Sequence, residues 1–400
     1  MLTKKRILLG ITGGIALYKS CEVIRLLKGL GVEVKVILST GAEQFASPLL
    51  FSALSGERTY TNKDFFIANG EIPHIALATW PDVILILPAT ASFLSKLRTG
   101  QASELLLATL LATKAPVYIF PSMNTQMFLH PATQENLSIL RSYGYYIYEP
   151  SEGELACGAE GKGRLPEPRE ILEVIKAHFI PKTLLGKKVL ITGGPTREYI
   201  DDVRFLTNAS SGRTALLLAK EAYYRGAEVY LLWGLEELSE PFPKLHYFLP
   251  ISYPQIFYTP TTEEMYNKAL ELFPKVDIAI FAGAPCDFKP RHKIPGKLKK
   301  DTSLSLELEL TPDIAKELSK MKEKQITIGF ALEEKENLES YARIKKSEKK
   351  FDLIVANPLS TAGALKSEYL IIGPNFEKKW ESLSKEALAK EIFELISLFF

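Results

Sequence analysis

The stretch RILLGITGGIA, beginning at Arg6, is echoed by KKVLITGGPT, beginning at Lys187. Each is an apolar run of strand length that ends in Ile-Thr-Gly-Gly. Such a run suits a strand buried on both faces, as in a parallel sheet. Glycines directly after it let the chain turn sharply, with backbone amides left facing outward. ALYKSCEVIRLLKGLG then carries helical periodicity up to a glycine stop, and EVKVIL is the next strand. The second copy continues in the same way, through SSGRTALLLAKEAYYRGAEVYLLWG. Meeting strand, glycine turn, helix and strand twice predicts two doubly wound, Rossmann-like α/β domains. A length of 400 residues agrees, because one core seldom organises that many.

Further strands are predicted at DVILIL, PVYIFPS and YYIYEP in the first half, with helices at PATQENLSILRSYG and PREILEVIKAHF. In the second half the strands fall at DIAIFAGA, LSLELEL, QITIGFALE, DLIVANP and EYLIIGP. IPKTLLGKK, with its proline, glycine and lysines, reads as a linker. The expected organisation is a domain over 1–180, a linker and start of the second sheet over 181–190, and a second domain over 186–400. The C-terminal EIFELISLFF is apolar but interrupted by glutamate, so it should dock on a core or a subunit interface. The N-terminal apolar run breaks at glycine too early for a signal peptide.

Forty-nine Lys and Arg against 47 Asp and Glu leave a net charge of +2, which gives no footprint for nucleic acid or an anionic membrane. Cys21, Cys157 and Cys286 form no CxxC pair and no even framework. That fits a reducing cytoplasm and argues against a zinc site. The expectation is a cytosolic, globular protein.

Ligands of open α/β sheets bind at the carboxyl ends of the strands. Thr12-Gly13-Gly14-Ile15-Ala16 lies at such an end and reads as a phosphate loop or as a tight turn serving packing. Neither Thr-Gly-Gly site completes G-x-G-x-x-G, so a nicotinamide fingerprint is absent. The small residues of LPATASF suit a flat ring or plain helix packing. Asn124 in PSMNTQMF is a ligand-holding amide or a turn residue, and His74 in IPHIAL is structural or catalytic. LACGAEGKGRLPEP sets Cys157 among Gly158, Gly161 and Gly163, which argue against helix or strand. A thiol there is either a reactive group carried onto a substrate or an accident of sequence.

The order of the motifs narrows these alternatives. TGGIALYK, PHIAL, PATAS, PSMN and ACGAEGKGR resemble, in sequence, the flavin-dependent cysteine decarboxylases, and the first half is similar to 4′-phosphopantothenoylcysteine decarboxylase. ITGGPTRE, VRFLTNASSGR, AGAPCDF, KLKK, TPDIA and GFALE resemble phosphopantothenate–cysteine ligase. Together they resemble the bifunctional coenzyme A biosynthesis enzymes of bacteria, over essentially the whole chain. The resemblance implies a flavodoxin-like flavoprotein domain followed by a ligase domain. For the first it implies FMN bound by Thr12, Gly13, Gly14, Ile15, Ala16, Ser39, Pro88, Ala89 and Thr90. It implies His74 at oxidation and decarboxylation, Asn124 on the substrate carboxylate, and Cys157 as proton donor to an ene-thiol.

For the second half the resemblance implies an acyl-cytidylate made from CTP and 4′-phosphopantothenate, from which cysteine displaces CMP. Lys297 meets the triphosphate, with Lys345 and Lys349 one helical turn apart. Phe281, Ala282, Gly283 and Asp287 line the nucleotide pocket with Pro312, Asp313, Ile314, Ala315 and Phe330. Asn208 and Arg204 serve conversion of the intermediate. Mg2+ is implied, held mainly by the nucleotide phosphates, with no protein ligands assigned. The implied assembly is a homo-oligomer of trimers tied by dimers, a dodecamer. Thr12 replaces the usual serine, GQASELLL replaces a Gly-x-Ala-Asp/Asn segment, and Pro285, Cys286 and Leu310 depart from the ligase pattern. Cys286 reads as packing and Cys21 as core. A flavin prenyltransferase, a flavin-binding regulatory subunit and a two-domain dehydrogenase explain less of this motif set.

Overall fold

In the computed structural model, residues 2–66, 70, 72–154, 158, 160–249, 251–299, 305–361 and 366–399 are described. The chain divides into two compact units, one of Met1–Phe179 with Pro243–Pro250, the other of Ile180–Phe242 with Ile251–Phe400.

The first unit holds the strands β1 (Arg6–Ile11), β2 (Glu33–Leu38), β3 (Thr59–Tyr60), β4 (Val83–Ala89), β5 (Val117–Pro121) and β6 (Tyr146–Ile147), with a hairpin of β7 (Ser151–Glu154) and β8 (Glu160–Arg164). Its helices are α1 (Tyr18–Gly29), α2 (Pro48–Ser55), α3 (Pro73–Thr79), α4 (Ala91–Arg98), α5 (Leu105–Ala112), α6 (Thr125–Leu129), α7 (Pro131–Ser142) and α8 (Pro168–His178). The sheet is parallel, in the order β3-β2-β1-β4-β5-β6. Every residue of β4 is buried, which is why its sequence is a continuous apolar run rather than an alternating one. Ile84, Ile86 and Ile119 of the sheet pack with Leu94, Leu106 and Leu137 of the helices. Local signals set the helix ends. The Ser47 hydroxyl accepts from Leu49 N, Pro48 opens α2, and Gly56 closes it with φ +72. The segment from Pro243 completes this unit: Phe248 lies edge-on to Tyr118 at 5.2 Å, and Lys244 N donates to the Tyr148 hydroxyl at 2.7 Å.

The second unit holds β9 (Lys188–Gly193), β10 (Arg197–Tyr199), β11 (Phe205–Thr207), β12 (Glu228–Trp233), β13 (Gln255–Tyr258), β14 (Ile278–Phe281), β15 (Phe288–Pro290), β16 (Leu308–Leu310), β17 (Ile326–Glu333), β18 (Leu353–Pro358), β19 (Lys366–Ile372) and β20 (Glu377–Ser384). Its helices are α9 (Arg213–Tyr224), α10 (Thr262–Leu272), α11 (Ile314–Ser319), α12 (Leu338–Glu348) and α13 (Lys385–Ile396). The main sheet runs β13-β12-β9-β14-β17-β18-β19-β20, parallel as far as β18 and antiparallel beyond it. In α13, Ile392, Phe393 and Ile396 are buried, and the helix packs on α9, so the apolar C-terminus docks on this unit's own core.

Four expectations are corrected. Gly161 and Gly163 lie in a strand, because β8 pairs antiparallel with β7, whereas Gly158 lies outside it. Gly153 (φ +140) and Gly161 (φ +152) supply backbone conformations that other residues rarely adopt. The segment read as a linker packs into the second unit: Leu184 is buried and its amide donates to Arg225 O at 3.0 Å. YYIYEP keeps only Tyr146–Ile147 as strand. Among the described residues of LSLELEL, Leu308–Leu310 alone is strand, and it pairs with β15 outside the main sheet.

Candidate active sites

In the first sheet the strand order reverses between β1 and β4, since the chain steps outward through β2 and β3 and then returns to β4. Helix starts and loops converge on the crevice at such a point. The Thr12 hydroxyl donates to Pro88 O at 2.8 Å and accepts from Thr90 N at 3.0 Å. Both hydroxyl functions are thereby engaged inside the protein, and the ligand-facing surface falls to the backbone that follows. A Cβ on Gly13 would lie 2.6 Å from the Gly41 carbonyl, so only glycine lets these two loops close on each other. Ser39, beside that contact, donates its amide to Ile11 O at 3.0 Å. A Cβ on Gly14 would stand 3.4 Å from Thr90 Cγ2 and 3.5 Å from Pro88 Cγ, filling the space between the two turns. Thr12–Ala16, Ser39 and Pro88–Thr90 therefore form one cradle, bare of side chain at Gly14, that fits a phosphate and a flat ring.

The adjoining turn follows β5. Ser122 N donates to Ala89 O at 3.0 Å, and Asn124 caps α6 by accepting from Gln126 N at 2.8 Å. The hairpin lies against this turn: Met123 N donates to Gly163 O at 3.0 Å. A Cβ on Gly161 would come within 2.7 Å of Thr125 Oγ1, and one on Gly163 would collide with the Met123 carbonyl oxygen. The glycines thus let a strand pass flat over the Asn124 turn. His74 stands in the first turn of α3, its ring edge-on to Phe65 at 5.6 Å. Its Nδ1 is buried without a hydrogen-bond partner among the described residues, an orphaned polar atom suited to a ligand or a proton. Cys157 lies outside the described residues.

Lys19, which the sequence reading passed over, ties the hairpin down. This buried ammonium on α1 donates to Leu165 O at 3.1 Å and to Glu167 Oε1 at 3.0 Å, directly after β8. Glu104 also joins elements, pairing with Lys96 at 2.7 Å beside the start of α5. Cys21 is only partly buried, so the core position expected for it is half realised.

The second sheet reverses its order between β9 and β14. Gly283 N donates to Thr192 Oγ1 at 3.2 Å and Ala284 N to Gly194 O at 2.9 Å, joining the two strand ends. Asn208 Nδ2 donates to Ala284 O at 3.2 Å and Pro285 O at 3.0 Å. Thr311 N donates to Asp287 O at 3.0 Å, which brings the Pro312–Ala315 turn alongside. Asp313 caps α11 through Lys316 N and pairs with Lys349 at 2.7 Å. Phe281 and Ala315 pack on one apolar cluster with Phe351 and Ala331, and Phe330 precedes Ala331 on β17. Asn208, Phe281–Gly283, Asp287, Pro312–Ala315, Lys345 and Lys349 are thus gathered at one sheet end.

Burial, then the Lys349 charge, push Lys345 below the ordinary lysine range, against the pull of Glu333, Asp313 and Asp287. For Asp313 burial acts upward, but the Lys349 hydrogen bond and the Lys316 amide outweigh it and hold the carboxyl low. Lys297 is exposed and belongs to the Arg204 side of the site. Leu298 N reaches Asp201 Oδ2 at 3.0 Å, and Arg204 reaches Asp201 at 3.1 Å and Leu298 O at 3.0 Å. The departures at Pro285 and Cys286 are absorbed because their backbones do the joining. Cys286 itself is buried, its thiol pushed up by burial, as a packing residue. Among the described residues no group of three or more His, Cys, Asp or Glu could hold a metal ion. No helix of the described residues is long and apolar enough to cross a membrane.

Comparison with known proteins places a Flavoprotein family model on residues 1–180. The family model for the DNA/pantothenate metabolism flavoprotein C-terminal domain falls on residues 184–399. The chain is 44% identical over 368 residues to the coenzyme A biosynthesis bifunctional protein CoaBC of Bacillus subtilis (strain 168), covering 91% of this chain and 88% of that one. It is 39% identical over 404 residues to the protein of that name from Vibrio vulnificus (strain YJ016), covering 99% and 98%. Among solved structures, the C-terminal domain of a coenzyme A biosynthesis bifunctional protein CoaBC is similar at 33% identity and a TM-score of 0.45, covering 54% of this chain and 97% of that one.

Proposed function

The chain belongs to the bifunctional coenzyme A biosynthesis proteins, and on that premise we propose which of its residues carry ligation and which carry decarboxylation. The observation that supports the assignment is that the Thr12 and Pro88–Thr90 turns meet where the first sheet reverses its order, and Asn208, Gly283 and Asp287 lie with the Pro312–Ala315 turn where the second does.

In the ligase unit, the carboxylate of 4′-phosphopantothenate attacks the α-phosphate of CTP. An acyl–phosphate bond forms and pyrophosphate leaves. Lys297, Lys345 and Lys349 spread the charge that develops on the phosphates, and Mg2+ arrives with the nucleotide. Phe281–Gly283, Asp287, Pro312–Ala315 and Phe330 hold base and ribose. The cysteine amine then attacks the acyl carbon, the amide forms and CMP leaves, with Asn208 and Arg204 holding the acyl intermediate.

In the decarboxylase unit, Thr12–Ala16, Ser39 and Pro88–Thr90 bind FMN. When bound, FMN accepts two electrons from the substrate thiol and returns them at the end. Asn124 orients the substrate carboxylate, and His74 exchanges a proton during oxidation and decarboxylation, a reading supported by its Nδ1 having no hydrogen-bond partner among the described residues. Loss of CO2 leaves an ene-thiol, whose carbon takes the proton of the Cys157 thiol. The β7–β8 hairpin, between whose strands Cys157 falls in sequence, covers the Asn124 turn and keeps water from the intermediate. Ile15, Tyr18, Phe45 and Leu49 are exposed on the single chain, and a neighbouring copy covers them in the proposed homo-oligomer of trimers and dimers. The proposal places the enzyme in the cytoplasm.

Two variants separate the roles. Cys157→Ser is expected to release CO2 and hold reduced flavin without forming phosphopantetheine, because a hydroxyl is a far weaker acid than a thiol. His74→Asn is expected to stop before CO2 leaves. Phosphopantetheine formed at the parental rate by the serine variant would remove Cys157 from the mechanism.

A further inference from the structure

Asp201 belongs to none of the residue sets above, yet its carboxylate is fully enclosed. Oδ1 accepts from Val203 N at 2.7 Å and Arg204 N at 2.6 Å. Oδ2 accepts from Arg204 NH1 at 3.1 Å and from Leu298 N at 3.0 Å. Arg204 NH2 donates to Leu298 O at 3.0 Å, so the guanidinium and the carboxylate hold the two peptide units that flank Leu298. The neighbouring residues repeat the connection. Gly296 N donates to Asp202 Oδ2 at 2.8 Å, Asp202 N donates to Gly296 O at 3.1 Å, and Ile294 N donates to Ile200 O at 2.8 Å. Lys297 therefore sits between two residues that are each bonded to the Asp201–Asp202 turn, while its own side chain is exposed.

We propose that Asp201 is a positioning residue of the ligase, holding Arg204 and the loop that carries Lys297 on one carboxylate so that the activating and converting groups are set together. The inference rests on the roles proposed above for Lys297 and Arg204. Burial acts against the charge of Asp201, but three amides and the Arg204 guanidinium outweigh it and hold the carboxyl below the usual range. An ionised carboxylate accepts at both oxygens. An amide in its place turns one acceptor into a donor facing the Arg204 guanidinium or Leu298 N, and the grip opens. Misplacement of about 1 Å in a reacting group costs on the order of a hundredfold in rate.

The test uses the full-length enzyme with 4′-phosphopantothenate, CTP, Mg2+ and cysteine, and reads pyrophosphate release and amide formation separately. Asp201→Asn is expected to slow both half-reactions by on the order of tenfold or more, while decarboxylation in the same chain keeps its parental rate. Combined with Arg204→Ala in the conversion step, or with Lys297→Gln in the activation step, it should add little, because it acts through those residues. Leu298→Pro, which removes the loop amide that reaches Asp201 and also fixes the backbone next to Lys297, should slow pyrophosphate release and leave the chain folded. Parental rates in Asp201→Asn, losses that multiply with those of the partner variants, or parental pyrophosphate release by Leu298→Pro would each overturn the proposal. Parental rates in Arg204→Ala and Lys297→Gln themselves would instead overturn the roles on which it rests, and the proposal with them.

Discussion

The hydroxyl of Thr12 bridges two strands, donating to the Pro88 carbonyl at 2.8 Å and accepting from the Thr90 amide at 3.0 Å. That bridge closes the crevice between β1 and β4 just where the sheet order reverses. Thr12→Val keeps the shape but leaves the Thr90 amide and the Pro88 carbonyl without this partner. The expected cost is about 1–3 kcal/mol of stability, together with a fall in bound flavin per chain. Denaturant midpoints and the visible absorbance of the purified protein check both; an unchanged pair of values would show that the bridge is dispensable.

Gly163→Ala tests the hairpin. The added methyl collides with the Met123 carbonyl oxygen, which is backbone and cannot swing away. Strand β8 should lift from the Asn124 turn, and decarboxylation should fall by on the order of tenfold or more. Ligation belongs to the other sheet and should not change.

Lys19→Met removes the buried ammonium that holds Leu165 O and Glu167. Glu167 keeps its partner Arg164, so the hairpin is loosened at its exit rather than lost. The expected outcome is a raised KM for 4′-phosphopantothenoylcysteine with a smaller change in kcat. Lys19→Arg should restore part of the loss. Identical KM values in parent and Lys19→Met would rule out an anchoring role.

Asp313 carries a pH signature. Its folded pKa lies below the unfolded value of about 3.9, so its contribution is complete above that value and disappears as pH falls through the folded pKa. Asp313→Asn should therefore lower the urea midpoint at neutral pH, and the gap to the parent should close in strong acid. A gap that persists at the lowest pH would mean that the loss is one of packing, not charge.

The parts legible in the sequence were those governed by local pattern. β1 and β9 announced themselves as buried runs ending in Gly-Gly, and the loops at Thr12–Ala16 and Pro88–Thr90 meet because a doubly wound sheet brings them together. By local rules the glycines at 158, 161 and 163 are breakers. Two of them serve instead to lay β8 flat on the Asn124 turn, a contact about 40 residues distant that no local rule encodes. Asp201 was invisible for the same reason, since its partner Leu298 lies 97 residues away. Lys19 reads as one more charge on a helix face until Leu165 and Glu167 are placed over it.

The central claim is that one chain performs both reactions in sequence. Purified protein supplied with 4′-phosphopantothenate, cysteine, CTP and Mg2+ should release pyrophosphate, CMP and CO2 in equal amounts and accumulate 4′-phosphopantetheine, followed by mass spectrometry. Omitting CTP should abolish all four products, and supplying 4′-phosphopantothenoylcysteine directly should restore CO2 and phosphopantetheine alone. A protein that consumes no CTP under these conditions, or that stops at the amide with its flavin bound and its substrate present, would contradict the account.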